Sequence, residues 1–135
     1  MADTISEILK SYRTIAIVGL SNKPERDSYL VGVYLKDQGY KIIPVNPNIG
    51  EILGETSYAD LLDIPCDVDI VVIFRKPEFV PDVVESAIKK NIRVVWMQEG
   101  IVHNASADRA RQKGMKVVMD RCIMKEHVKI LGENK

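Results

Sequence analysis

Ten consecutive residues hold the densest supply of chemistry in the chain: Gly19-Leu20-Ser21-Asn22-Lys23-Pro24-Glu25-Arg26-Asp27-Ser28. Gly19 lets the backbone turn sharply and approach a ligand closely. Ser21 and Asn22 are hydrogen-bond donors, and Lys23 and Arg26 carry positive charge. Asp27 or Ser28 then suits the cap of a helix whose free N–H groups point back at the loop. A helix N-terminus with nearby cations is the setting for a phosphate group. The spacing excludes two better-known phosphate loops. The second and third glycines of G-x-G-x-x-G would fall at Ser21 and Pro24, and no G-x-x-x-x-G-K-[ST] occurs.

Three further segments carry polar residues where apolar runs end. Phe74-Arg75-Lys76-Pro77 adds two cations, and Phe74 is a surface for stacking on a base or covering a ligand. With Lys23 and Arg26 they make four positive residues expected around one crevice. Val45-Asn46-Pro47 places a neutral amide where a dinucleotide site usually has an acid for the ribose hydroxyls. Gln98-Glu99-Gly100 offers an amide, the one acid expected near the crevice centre and so a candidate general base, and another close backbone approach. No catalytic constellation is evident. His103 and His127 have no acidic or cysteine partners at metal-ligand spacing and read as structural or surface residues. Cys66 and Cys122 suggest neither a disulfide framework nor a zinc site. Cys122 follows the last strand, beside Arg121, and could face the crevice.

These residues need a scaffold, and the chain spells one out. Short β-branched runs alternate with amphipathic stretches, the signature of βαβ units on a parallel sheet. Strands are expected at Thr14–Val18, Lys41–Val45, Val68–Phe74, Arg93–Met97 and Lys116–Met119. A capping box at Thr4-Ile5-Ser6-Glu7 opens a first short helix. A second runs from Ser28 to Gln38 with Leu30, Val33 and Tyr34 inward and Val31 as a further inward candidate, and Gly39 ends it. Residues 49–58 are irregular with room for a short edge strand, and Ser57 caps a short helix carrying Leu61 and Leu62. Further helices are expected at Pro81–Lys90, from Asn104 or Ser106 to Gly114, and at Ile123–Leu131. The economical topology has the first strand central, the second on one side and the other three in order on the opposite side. This is a doubly wound, three-layer α/β/α fold, and ligands of such sheets lie at the carboxyl ends of the strands.

The bulk numbers agree with one domain over residues 1–135. There are 135 residues with 46% hydrophobic content, enough for a core without disulfides or metals. The 19 basic and 19 acidic residues balance, which argues against nucleic acid or a membrane surface as partner. The N-terminus has no apolar signal core, and a reducing cytoplasm is the expected compartment.

Taken in order, several stretches resemble the small stand-alone CoA-binding proteins related to the CoA-binding domain of succinyl-CoA synthetase α subunits. They are Ile17 to Ser21 with Lys23-Pro24 and Arg26 to Tyr29; Gly39-Tyr40 through Ile43 to Pro47; and Ile52 to Glu55. Asp69 to Arg75, Val95 to Gln98 with Gly100, and Val118 to Cys122 complete the set. The likeness covers about residues 12–131. It implies a Rossmann-like fold holding CoA or acyl-CoA at the strand ends. The contacts carried over are Gly19, Ser21, Asn22 and Lys23, then Asn46 and Pro47, with Gln98-Glu99-Gly100 in place of the synthetase's Thr-Glu-Gly. The synthetase loop is richer in glycine, and Lys23-Pro24 replaces part of it. These residues include no counterpart of the synthetase domain that carries the phosphorylated histidine, so the ligase reaction is not expected of them alone. CoA bears a pyrophosphate and a 3′-phosphate, which suits Lys23, Arg26, Arg75 and Lys76, and needs no acid at Asn46. The resulting expectation is a non-catalytic carrier, sensor or regulatory subunit, with a homodimer or another protein partner left open. The rivals are a small NAD(P)-dependent oxidoreductase and a redox module in which Cys122 pairs with the CoA thiol.

Overall fold

The computed structural model describes residues 2–132. Helix α1 (Ala2–Ser11) leads into β1 (Thr14–Val18), α2 (Asp27–Asp37) and β2 (Lys41–Val45). A two-stranded hairpin follows, β3 (Glu51–Ile52) and β4 (Glu55–Thr56), then a 3-10 turn at Leu61–Asp63. β5 (Ile70–Ile73), α3 (Val80–Lys89), β6 (Val94–Met97), α4 (Asn104–Gln112), β7 (Lys116–Val118) and α5 (Ile123–Ile130) complete the chain.

The five long strands form one sheet in the order β2-β1-β5-β6-β7, and every pairing in it is parallel. The fold is the Rossmann-like, doubly wound arrangement expected from the alternation. Its strands read as apolar runs because both faces are covered. Ile15, Ile17, Ile70, Val72, Val94 and Trp96 face α1, α2 and α5. Ala16, Val18, Val71, Ile73, Val95 and Met97 face α3 and α4. The strand order reverses between β1 and β5: from β1 the chain runs outward to β2 on one side, and from β5 it runs outward to β6 and β7 on the other. That switch point opens a crevice at the carboxyl ends.

Several local expectations are corrected. α1 begins at Ala2, so Thr4 lies within the helix and not at its cap. α2 buries Val31, Gly32 and Leu35, while Leu30 and Val33 are exposed. Gly32 sets this phase, because a Cβ there would stand 3.0 Å from Leu53 Cδ1 and 3.1 Å from Leu20 Cδ1. A Cβ there would crowd both leucine side chains, so glycine lets α2 sit this close to the hairpin and to Leu20 without displacing them. The turn at Leu61 is capped by Asp60, which accepts from Leu62 N, and not by Ser57, whose hydroxyl donates to the Asn46 carbonyl. α4 is capped by His103, whose Nδ1 accepts from Ser106 N at 3.2 Å. His127 lies buried against Tyr34, with Nδ1 2.7 Å from the phenol oxygen.

Candidate functional site

The Gly19 turn is held from three sides. Gly19 N donates to Val45 O at 2.9 Å, and Phe74 N to Val18 O at 2.9 Å. The glycine sits at φ +90, and a Cβ there would lie 2.5 Å from the Phe74 carbonyl oxygen. No other residue type fits this position without moving the end of β5. Beyond it the loop braces itself. Ser21 N donates to Ser28 Oγ, and Lys23 N donates to Ser21 Oγ, each at 3.0 Å. Ser28 is therefore buried structure whose hydroxyl serves the loop. Leu20, read from the sequence as part of the ligand loop, has its side chain fully in the core; only its backbone remains at the loop.

Ser28 and Asp27 do not cap α2. Arg26 occupies the cap position and makes no side-chain hydrogen bond there. The N–H groups of Asp27, Ser28 and Tyr29 have no acceptor among the described residues. This is a free helix N-terminus of an 11-residue helix, placed beside a glycine turn, and it suits an anion.

Asn46 lines the groove and is also tied into the protein at both ends of its amide. Its Nδ2 donates to Leu20 O at 3.0 Å, and its Oδ1 accepts from Asn48 N at 2.9 Å. The amide is a strut that ties the loop after β2 to the loop after β1.

Three depressions run side by side across the strand ends. The first, about 290 Å³, lies between Gly19, Asn46, Pro47, Asn48 and Arg75. The second, about 390 Å³, is bounded by Gly19, Arg26, Ser28 and Phe74. The third, about 200 Å³, extends from Phe74 to Gln98, Glu99 and Cys122. Gly19 is common to the first two, and Phe74 and Asp27 to the last two. The chain of openings has the form of a groove for an extended ligand.

The four expected cations separate within this groove. Arg75 lines the first depression, with its guanidinium 4.2 Å from the centre of the Phe79 ring. No carboxylate lies within ion-pair distance of it among the described residues. Arg26 lines the second, together with the carboxylates Glu25 and Asp27. Asn22, Lys23 and Lys76 are exposed and line none of the three. Glu99 is not the only acid near the crevice: Asp27 lines the same third depression. Glu99 pairs with Lys125 at 2.9 Å, and this hydrogen bond holds the Lys125 ammonium above its ordinary pKa. Gly100 N donates to Asp120 Oδ1 at 2.7 Å, which pins the loop after β6 to the loop after β7.

The sequence reading missed the walls supplied by helices: Leu30 and Val31 from α2, Met124 and Lys125 from α5. The strand-end rule alone finds loops, and these residues lie past the loops, in the opening turns of α2 and α5. Cys122 lines the third depression, as its place after β7 suggested, with 9% of its surface exposed.

Residues 13–128 match the model of the CoA binding domain family, and the chain belongs to that family. It is 42% identical to the uncharacterized protein YneT of Bacillus subtilis over 91% of each chain. It is 33% identical to the I subunit alpha of the ADP-forming acetate–CoA ligase of Pyrococcus furiosus, covering 83% of this chain and 28% of that subunit. The chain thus spans under a third of the length of its ligase relative. Among solved structures, a hypothetical protein from Pyrococcus horikoshii superposes with a TM-score of 0.95 at 42% identity, over 98% of this chain and 93% of that one. A Thermus thermophilus protein does so with a TM-score of 0.92 at 35% identity, over 97% and 99%. No helix among the described residues is long and apolar enough to cross a membrane.

Proposed function

We propose that this protein binds CoA or acyl-CoA along the groove at the carboxyl ends of the sheet, as a non-catalytic carrier, sensor or regulatory subunit. The observation that carries the reading is the uncapped N-terminus of α2 against the Gly19 turn, with Arg26 and Arg75 on either side. Backbone N–H groups take one phosphate without any side chain, and a guanidinium takes another in a bidentate fork. Family membership supports the same ligand. Asn46 supports CoA over NAD(P), because its amide is held between two loops as a strut and lacks the carboxylate that accepts from both hydroxyls of a ribose diol.

Thermal unfolding tests this directly. CoA at a hundredfold excess over its Kd is expected to raise Tm by roughly 5–10 °C. NAD and NADP at the same concentration are expected to leave it unchanged. A flat response to CoA with a clear shift by NADP would reverse the assignment.

A further inference from the structure

The third depression is the one of the three with several large apolar side chains on one side. Leu30, Val31, Phe74, Cys122 and Met124 form that apolar wall, and Asp27, Gln98, Glu99 and Lys125 complete the lining. Into it opens one buried polar side chain, Gln98, only 3% exposed. The Gln98 Oε1 accepts from Ile123 N at 2.9 Å, which fixes the amide and caps α5. The Nε2 group makes no hydrogen bond among the described residues. No inaccessible side-chain N or O among the described residues lacks a partner, so this nitrogen retains access to the space it lines. An N–H₂ group held rigidly beside an apolar wall, on a side chain otherwise buried, is placed to donate to an oxygen acceptor that enters the depression.

We propose that this depression is an acyl pocket: Gln98 Nε2 donates to the thioester carbonyl of an acyl-CoA, and the apolar wall takes a short, uncharged acyl chain. The inference rests on the CoA reading above and deepens it. Asp27 and Phe74 join the pocket to the anion-binding turn, so one ligand can occupy both. The rim sets the charge preference. Lys125, the cation at this pocket, is already paired with Glu99, and Asp27 stands nearby with its own negative charge. A free carboxylate on the acyl group would meet Asp27 and an ion pair already closed between Lys125 and Glu99, with no unpaired cation in the lining. The pocket thus favours acetyl to butyryl chains over succinyl or malonyl ones. The volume of about 200 Å³ bounds the chain length.

Calorimetric titration of the whole protein with CoA, acetyl-CoA, butyryl-CoA and succinyl-CoA tests the pocket. Each methylene entering the apolar wall is expected to tighten binding about fourfold, so butyryl-CoA binds about tenfold or more tighter than acetyl-CoA. Succinyl-CoA is expected to bind no better than CoA. Gln98→Glu keeps an acceptor for Ile123 N and removes the donor, and is expected to abolish the advantage of butyryl-CoA over CoA. Leu30→Trp, at an exposed position of α2, fills the pocket and is expected to abolish that advantage as well. The wild-type series stands without either variant. CoA binding as tightly as butyryl-CoA, or succinyl-CoA matching butyryl-CoA, overturns the acyl pocket and leaves the CoA reading intact. Failure of all four ligands, CoA included, overturns both.

Discussion

At the amino ends of the strands, a depression of about 330 Å³ lies between Tyr12, Arg93, Lys113, Met115 and Lys116. At the carboxyl ends lie the three depressions around Gly19 and Phe74. The volumes are similar, and the amino end holds at least as many cations. What differs is the backbone. In a parallel sheet with helical crossovers, helices end at the amino side and begin at the carboxyl side. α3 and α4 therefore bring their unsatisfied carbonyls toward Lys89, Lys90 and Lys113, and lysines there answer the negative ends of those helices. Lys90 also donates to the Ile64 carbonyl at 2.7 Å, and Lys116 lies 5.8 Å from the Tyr12 ring centre. At the other end, α2 begins with free N–H groups and no cap. Positive side chains alone do not distinguish an anion site from a set of helix caps. The direction of the backbone dipole does.

Two glycines make the sharpest test of this contrast. Gly19 at the carboxyl end and Gly114 at the amino end have nearly the same backbone, φ +90 and φ +84. A Cβ at Gly114 meets nothing within 4 Å, whereas at Gly19 it strikes the Phe74 carbonyl. Gly114→Ala is expected to cost about 1–2 kcal/mol, the conformational penalty alone. Gly19→Ala is expected to cost about 3 kcal/mol or more, because β5 must shift as well. It should also abolish CoA binding, since the turn forms the floor of two depressions. Denaturant midpoints and CoA titration of both variants measure this. Equal costs, with CoA binding intact, would mean the Gly19 turn is merely a turn.

The architecture was open to reading because its signal is doubly redundant. Strands such as Ile70–Ile73 are apolar on both faces, and that pattern has one common solution in an alternating chain. α2 was harder for a physical reason. Leu30, Val31, Val33, Tyr34 and Leu35 offer apolar residues around most of the helix, so periodicity leaves its phase undecided. The contact of Gly32 with Leu20 and Leu53 decides it, and that contact joins parts of the chain 12 and more residues away. The site shows the same division. Gly19 announces itself, because a glycine after a buried strand has few other uses. The roles of Ser28 and Asn46 do not, because a hydroxyl or an amide looks the same whether it faces a ligand or braces a loop. The cations at the crevice were counted from strand ends, and counting could not show that Arg26 and Arg75 line the depressions while Lys23 and Lys76 stand outside them.

Asn46 extends the comparison from backbone to side chain. Its two hydrogen bonds couple the loops on either side of the first depression. Asn46→Ala is expected to cost about 1–2 kcal/mol, two ordinary hydrogen bonds at a half-buried position. Asn46→Asp is the more telling variant. It keeps the acceptor for Asn48 N and replaces the donor to Leu20 O by a second acceptor. It also puts an acid where a dinucleotide site has one. If Asn46 acts as a strut, Asp fails to confer a Tm response to NAD and weakens CoA through loop disorder. A gain of NAD binding would show that the position reads ribose and that the loop tolerates the change.

The smallest expected effect tests the comparison from its other side. Lys113→Ala and Lys116→Ala remove cations from the amino-end depression. If free N–H groups and not cation density define the anion site, both variants bind CoA within about twofold of the unaltered protein, the scatter allowed by a long-range charge screened over about 8 Å at physiological salt. Lys116→Ala should lose some stability, about 0.5 kcal/mol, with its contact to the Tyr12 ring. A tenfold loss of CoA affinity in either variant would move the ligand to the amino end, against the polarity of every helix in the sheet. Lysine charge at that end has a different employer, the carbonyls of α3 and α4. Removing it is therefore expected to appear as fraying of those helix ends in hydrogen exchange, and not in binding.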